Sequence, residues 1–183
     1  VTNSVTDMSY MFNGCTSLTS LNLAKFSSSL VTNMEYMFGN CVNLKEINLL
    51  NFDTSLVTDM KFMFYECNSL INLYINNFNT SLVNNMQNMF SGCHSLISLE
   101  VSKFKANLVK NMANMFSDCR SLISLDILNF DTSLVTNMKS MFHGCLKLNN
   151  LNLQSFKTSS VKKMNSMFYN CESIISLNLS NFD

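Results

Sequence analysis

Apolar residues recur along this chain in columns spaced 26 positions apart. One column is Val5, Val31, Val57, Val83, Val109, Val135 and Val161, another is Cys15, Cys41, Cys67, Cys93, Cys119, Cys145 and Cys171, and a third is Phe26, Phe52, Phe78, Phe104, Phe130, Phe156 and Phe182. Between them the chain repeats Val-x-x-Met-x-x-Met-Phe-x-x-Cys-x-x-Leu-x-x-Leu-x-Leu-x-x-Phe seven times. A unit this short cannot bury its apolar face alone, whereas stacked copies can, so the pattern predicts a solenoid.

Within one unit Met8, Met11, Phe12 and Cys15 stand at i, i+3, i+4 and i+7, the spacing of one helix face. Asp7, Asn33, Asp59, Asn85, Asn111 and Asn137 precede the first Met and suit an N-cap; Lys163 breaks that column. Gly14, Asn40, Glu66, Gly92, Asp118, Gly144 and Asn170 follow the Met-Phe segment and suit the left-handed conformation that closes a helix. A short capped helix is therefore expected over residues 8–13 and its equivalents. Leu18-x-x-Leu21-x-Leu23 then changes to alternation, with Leu21 and Leu23 inward and Ser20, Asn22 and Ala24 outward on a strand. A second extended piece, residues 55–58 and its relatives, is expected on the opposite side.

The Leu-x-x-Leu-x-Leu core at this period is that of a leucine-rich coil. The expected fold class is an α/β repeat solenoid: a right-handed leucine-rich-repeat coil of seven 26-residue repeats, with a parallel strand sheet on one face and short helices on the other. It forms one domain over residues 1–183, without linkers, its repeats starting at the seven Val positions. At a strand spacing of about 4.8 Å the rod would be roughly 30 to 35 Å long. The Met and Phe columns are read as core, where the flexible thioether accommodates bulky rings.

Charge adds little to this picture. Lys and Arg total 12, as do Asp and Glu, so no field attracts nucleic acid or an acidic membrane. No apolar run is long enough for a membrane span within the chain. Each Cys stands 26 residues from the next, on the face expected to be buried. With stacked helices about 8 to 10 Å apart, no disulfide is expected. His94 and His143 lie in different columns, so no metal site is expected either, and no cofactor or catalytic constellation is seen.

The outward strand column carries the functional signal. It reads Asn22, Asn48, Tyr74, Glu100, Asp126, Asn152 and Asn178. Tyr74, Glu100 and Asp126 interrupt the Asn series near the middle and, with Asn72, Asn76, Ser98 and Ser102 beside them, form the candidate binding face for a protein or matrix ligand. Solvated strand positions are the plainer reading of the same residues. Asn79 and Asn178 head N-glycosylation sequons. Thr54-Ser55, Thr80-Ser81, Thr132-Ser133 and Thr158-Ser159 are expected to form exposed hydroxyl rows able to carry O-linked sugar.

The unit Val-Thr-Asn-Met-x-x-Met-Phe-x-x-Cys, with Phe-Asp-Thr-Ser between the coils, stands almost complete at residues 135–145 and 52–55 and resembles the BspA-like leucine-rich repeats. Lys110, Lys162, Ala106, Asn107 and Ile174 depart from it locally. The resemblance covers nearly the whole chain and implies a non-enzymatic extracellular or cell-surface solenoid for adhesion or protein binding. Val1 and Asp183 share one phase of the repeat and neither end has a polar cap. Two expectations follow: further repeats or caps elsewhere, or head-to-tail stacking into an extracellular filament. An intracellular interaction scaffold is a third, since reduced thiols are at home in the cytosol.

Overall fold

Six isolated parallel bridges join Asp7, Asn33, Asp59, Asn85, Asn111, Asn137 and Lys163 in series, so residues 26 apart lie side by side. The structure, a computed structural model, describes residues 2–183; Val1, which shares the repeat phase of Asp183, lies outside the described residues. At each bridge the amide just before the Asx column donates back one coil, as Thr32 N–H does to the Thr6 carbonyl at 2.8 Å, and the amide just after it donates forward, as Met8 N–H does to Asn33 at 3.0 Å. The second extended piece, residues 55–58 and its relatives, forms no strand; the one-residue bridges fall just after it, at the Asx column. Lys110 and Lys162 keep the backbone bonds of this ladder, which explains why Thr is dispensable there.

The expected helices are absent. Among the described residues no α-helix occurs, and residues 8–13 and their equivalents are folded turns. Two left-handed residues per coil prevent helix propagation. The anticipated column from Gly14 to Asn170 does have positive φ, but so does a second column, Tyr10, Tyr36, Phe62, Asn88, Asn114, Ser140 and Ser166, with φ between 52° and 59°. With that reversal the amides divide their bonds. Met8, Tyr10, Phe12 and Gly14 donate to Asn33, Glu35, Met37 and Gly39 of the next coil, whereas Met11, Asn13 and Cys15 donate back three residues. The i to i−4 bond of a helix never closes. The Asx column still accepts from the amide two residues on, at 2.8 Å for Asp7 and 3.1 Å for Asn137, but it caps a turn.

Four short strands lie on the leucine side: β1 Glu46–Asn48, β2 Asn72–Tyr74, β3 Ser124–Leu125 and β4 Asn150–Leu151. Their alternation is as expected, with Ile47, Leu73 and Leu125 buried between exposed neighbours. The single continuous sheet is not. β1 pairs in parallel with β2 and β3 with β4, leaving residues 98–100 in neither pair.

Flat turns let the coils approach more closely than helices could. Phe12, Phe38, Phe64, Phe90, Phe116, Phe142 and Phe168 form one stack, consecutive ring centroids 5.6 to 5.7 Å apart and planes within 7° of parallel. An 8 to 10 Å helix spacing therefore gives no account of the cysteines, all seven of which are free. Instead each thiol from Cys41 onward donates to a Phe carbonyl one coil back, as Cys67 does to Phe38 at 3.2 Å and Cys145 to Phe116 at 3.1 Å. The same carbonyl accepts an amide of its own coil, as Phe38 does from Cys41.

The Thr of the Thr-Ser pairs face inward, which overturns the exposed-hydroxyl reading for them. Thr54, Thr80, Thr132 and Thr158 are all buried. Thr54 Oγ1 accepts from Asn79 N–H at 2.8 Å and donates to the Asn79 carbonyl at 3.0 Å, and Thr80 and Thr132 clasp Lys105 and Lys157 in the same way. A buried hydroxyl bonded on both sides has no access to a glycosyl donor.

Candidate functional site

Register brings the strand-face residues into rows. Asn48 lies beside Tyr74 and Glu46 beside Asn72, whose side-chain amide donates to Glu46 Oε2 at 3.1 Å. Tyr74, Glu100 and Asp126 occupy the same place on three successive coils, and all three side chains are exposed, Tyr74 by 42%. Asn72, Asn76 and Ser98 are also exposed, and Ser102 is half-buried.

Most of this column has a local task. The side-chain oxygens of Asn22, Asn48, Asn152 and Asn178 accept from the amide two residues on, at 3.0 Å in each case. Asp126 does the same for Leu128 N–H at 3.2 Å, and Glu100 for both the amide and the hydroxyl of Ser102. Those Ser102 hydrogen bonds, side-chain first, hold the Glu100 carboxyl below the usual range, with Lys103 adding in the same direction. Glu100 and Asp126 are thus acidic versions of the Asn turn cap. Tyr74 has no oxygen within reach of that task and is the clearest departure.

Reading only the alternating strand positions missed an apolar row beside them. Ile71, Ile97 and Ile123 are 44 to 50% exposed on the coils that carry Tyr74, Glu100 and Asp126. The first two coils and the sixth have Thr19, Lys45 and Asn149 in that column, and the seventh has exposed Ile175, so the signal was available there. A row of branched apolar side chains next to a Tyr and two carboxylates has the composition of a protein-contact surface more than of a reaction centre. An open groove of about 300 Å³ adjoins Asp126, Leu128 and Asn152. Another, of about 620 Å³, lies between Lys103, Lys105, Asn107 and Asn129.

The sequon residues Asn79 and Asn178 are exposed, and the side-chain oxygen of Asn79 caps Ser81 N–H at 3.0 Å. Among the described residues no group of three or more His, Cys, Asp or Glu side chains is placed to hold a metal. His143 stacks on Tyr169 with centroids 5.1 Å apart. Burial raises the thiols of the inner coils, Cys41 to about 11 and Cys93 to about 12, which removes the thiolate needed for nucleophilic or metal chemistry. Among the described residues no helix is long and apolar enough to cross a membrane.

A family model described as "Mycoplasma protein of unknown function, DUF285" matches residues 1–98, 43–127 and 94–183. Among solved structures the chain is similar to a leucine rich repeat protein of T. pallidum, at 25% identity and a TM-score of 0.59, covering 93% of this chain and 72% of that one. More distant are a leucine rich cell surface protein from Faecalibacterium prausnitzii, at 17% identity and a TM-score of 0.33 over 94% and 70% of the two chains, and a leucine-rich repeat protein from Bacteroides ovatus, at 18% and 0.23 over 93% and 69%. No curated protein matches the chain. The T. pallidum likeness supports a leucine-rich repeat solenoid, and no enzymatic family is indicated; the matching family is not described as BspA-like.

Proposed function

The chain belongs to the family described as "Mycoplasma protein of unknown function, DUF285", and on that premise we propose that it is a non-enzymatic, surface-displayed solenoid that binds a protein partner across its strand face. The observation that carries this reading is the coincidence, on three successive coils, of exposed Ile71, Ile97 and Ile123 with Tyr74, Glu100 and Asp126. Binding energy concentrates where an aromatic anchor is ringed by apolar contacts, and the carboxylates set register and charge preference. The resemblance of the repeat to BspA-like surface proteins supports an extracellular setting.

The test is a panel of immobilised extracellular-matrix proteins probed with the wild-type chain and with Tyr74→Ala. At least one should be bound, and the substitution should weaken it by roughly tenfold or more, an anchor residue's share. The melting temperature should stay unchanged, because Tyr74 lies on the surface. An unbound panel, or equal affinity for both chains, would remove the assignment.

A further inference from the structure

A second apolar surface runs along a different column. Leu30, Leu56, Leu82, Leu108 and Leu134 are each 40 to 47% exposed, one above another on successive coils, and the stripe is bounded by exposed Ser4 and Ser160 in the same column. Single exposed leucines are ordinary, but five in line form a continuous ribbon. Their chain neighbours are fixed inward: Val31 is fully buried and Thr54 and Thr80 are clasped to the next coil, so the leucines have no room to fold under.

We infer that this stripe is the contact surface between two copies of the chain, packed face to face and antiparallel about a twofold axis at Leu82. Two columns flank the leucines. One, three residues earlier, reads Ser27, Asp53, Asn79, Lys105, Asp131 and Lys157; the other, two residues later, reads Thr6, Thr32, Thr58, Asn84, Lys110, Thr136 and Lys162. A twofold axis across the stripe sets each column against its own copy in reverse order, as an isologous interface requires. Leucine then meets leucine, Ser4 meets Ser160, and Asp53 meets Lys105 of the second copy, twice by symmetry. Lys110 faces Thr58 and Lys162 faces Thr6, so no like charges oppose. The parallel pairing is disfavoured, because it sets the first flanking column against the second and brings Lys105 onto Lys110 and Lys157 onto Lys162. The other residues of the first column fit as well: Asn79 meets itself and Asp131 meets Ser27.

The leucine strip spans four coil steps, roughly 20 to 25 Å, and is about 10 Å wide, on the order of 500 Å² over both copies and below the range of stable interfaces, so the pair should be weak and rapidly reversible, with a dissociation constant on the order of 100 μM or above. Light scattering across a concentration series should show the mass of the wild-type chain doubling. Leu82→Glu, which sets two carboxylates against each other at the axis, should leave a monomer with an unchanged melting curve. Asp53→Lys should weaken the pair at least tenfold, and Asp53→Lys combined with Lys105→Asp should restore it. A chain that stays monomeric at every concentration overturns the inference, as does a dimer indifferent to Leu82→Glu or a double swap that fails to rescue. A monomer that instead binds phosphatidylcholine vesicles through the same leucines also overturns it and assigns the stripe to a lipid surface.

Discussion

At the scale of single residues, two buried ladders use polar atoms where a plain apolar core would use none. The thiol of Cys93 donates to the Phe64 carbonyl at 3.3 Å from a fully buried position. Burial pushes this thiol from 9.0 up to about 12, and Cys41 up to about 11. In the unfolded chain the thiols ionise above about pH 9, whereas in the folded chain they stay protonated, so stability is whole below that pH and falls as pH rises through the folded values. Urea midpoints should be level from about pH 6 to 8 and drop steeply by about pH 10.5, with alkylation of the buried thiols Cys41, Cys67, Cys93, Cys119 and Cys145 appearing only along the falling limb. The hydroxyl ladder has one gap. Ala106 stands where Thr80 and Thr132 clasp the next coil, and among the described residues Asp131 N–H has no backbone or side-chain partner. Ala106→Thr should add about 1 to 2 kcal/mol and raise the melting temperature by about 2 to 4 °C per kcal/mol.

At the scale of the element, the Met-Phe segment shows how one apolar spacing can serve two backbones. Positions i, i+3, i+4 and i+7 put Met34, Met37, Phe38 and Cys41 in the core whether the chain winds as a helix or folds as turns. The left-handed column decides between them, and its occupants disguise it. Gly14 announces its conformation; Tyr10, Tyr36 and Phe62 do not, although each has φ near 55°. Holding a non-glycine residue there costs about 1 to 2 kcal/mol, offset by the bonds to the next coil. Ser140→Gly should therefore stabilise the fold by about 0.5 to 1 kcal/mol, and Ser140→Val should destabilise it by more than that, both measurable by urea titration. Circular dichroism should lack the double minimum of a helix in both.

At the scale of the whole molecule, every coil bonds to its neighbours through the same Asx-column and turn backbone atoms, so the array tolerates loss of a whole coil and not of a fraction. Excising residues 57–82 removes one period and should leave a cooperatively folding chain with the same circular dichroism. Excising one residue fewer shifts every column across the cut by one place, setting Phe on Met and Thr on Ser, and should abolish cooperative unfolding. A calorimetric comparison of the two deletions checks this. The break between β2 and β3 is also a property of the stack: residues 98–100 keep the Ser-Leu-Glu alternation but pair with neither side, so a sequence that looks uniform gives two short sheets.

The period, the inward columns and the turn-capping Asx and Gly positions were determined by the sequence itself, because each follows from chemistry that acts within a few residues or repeats at fixed spacing. So were the outward positions of Tyr74, Glu100 and Asp126, which stand out against their own column. What only the tertiary structure decided is everything that depends on the neighbouring coil. Helix gave way to turn because half of the amides found carbonyls one coil away, a partner that no single repeat can offer. Thr54 and its column turned inward because an amide and a carbonyl of the next coil were waiting for one hydroxyl, and Leu82 with its column turned outward because the clasped Thr and buried Val on either side left it no other place.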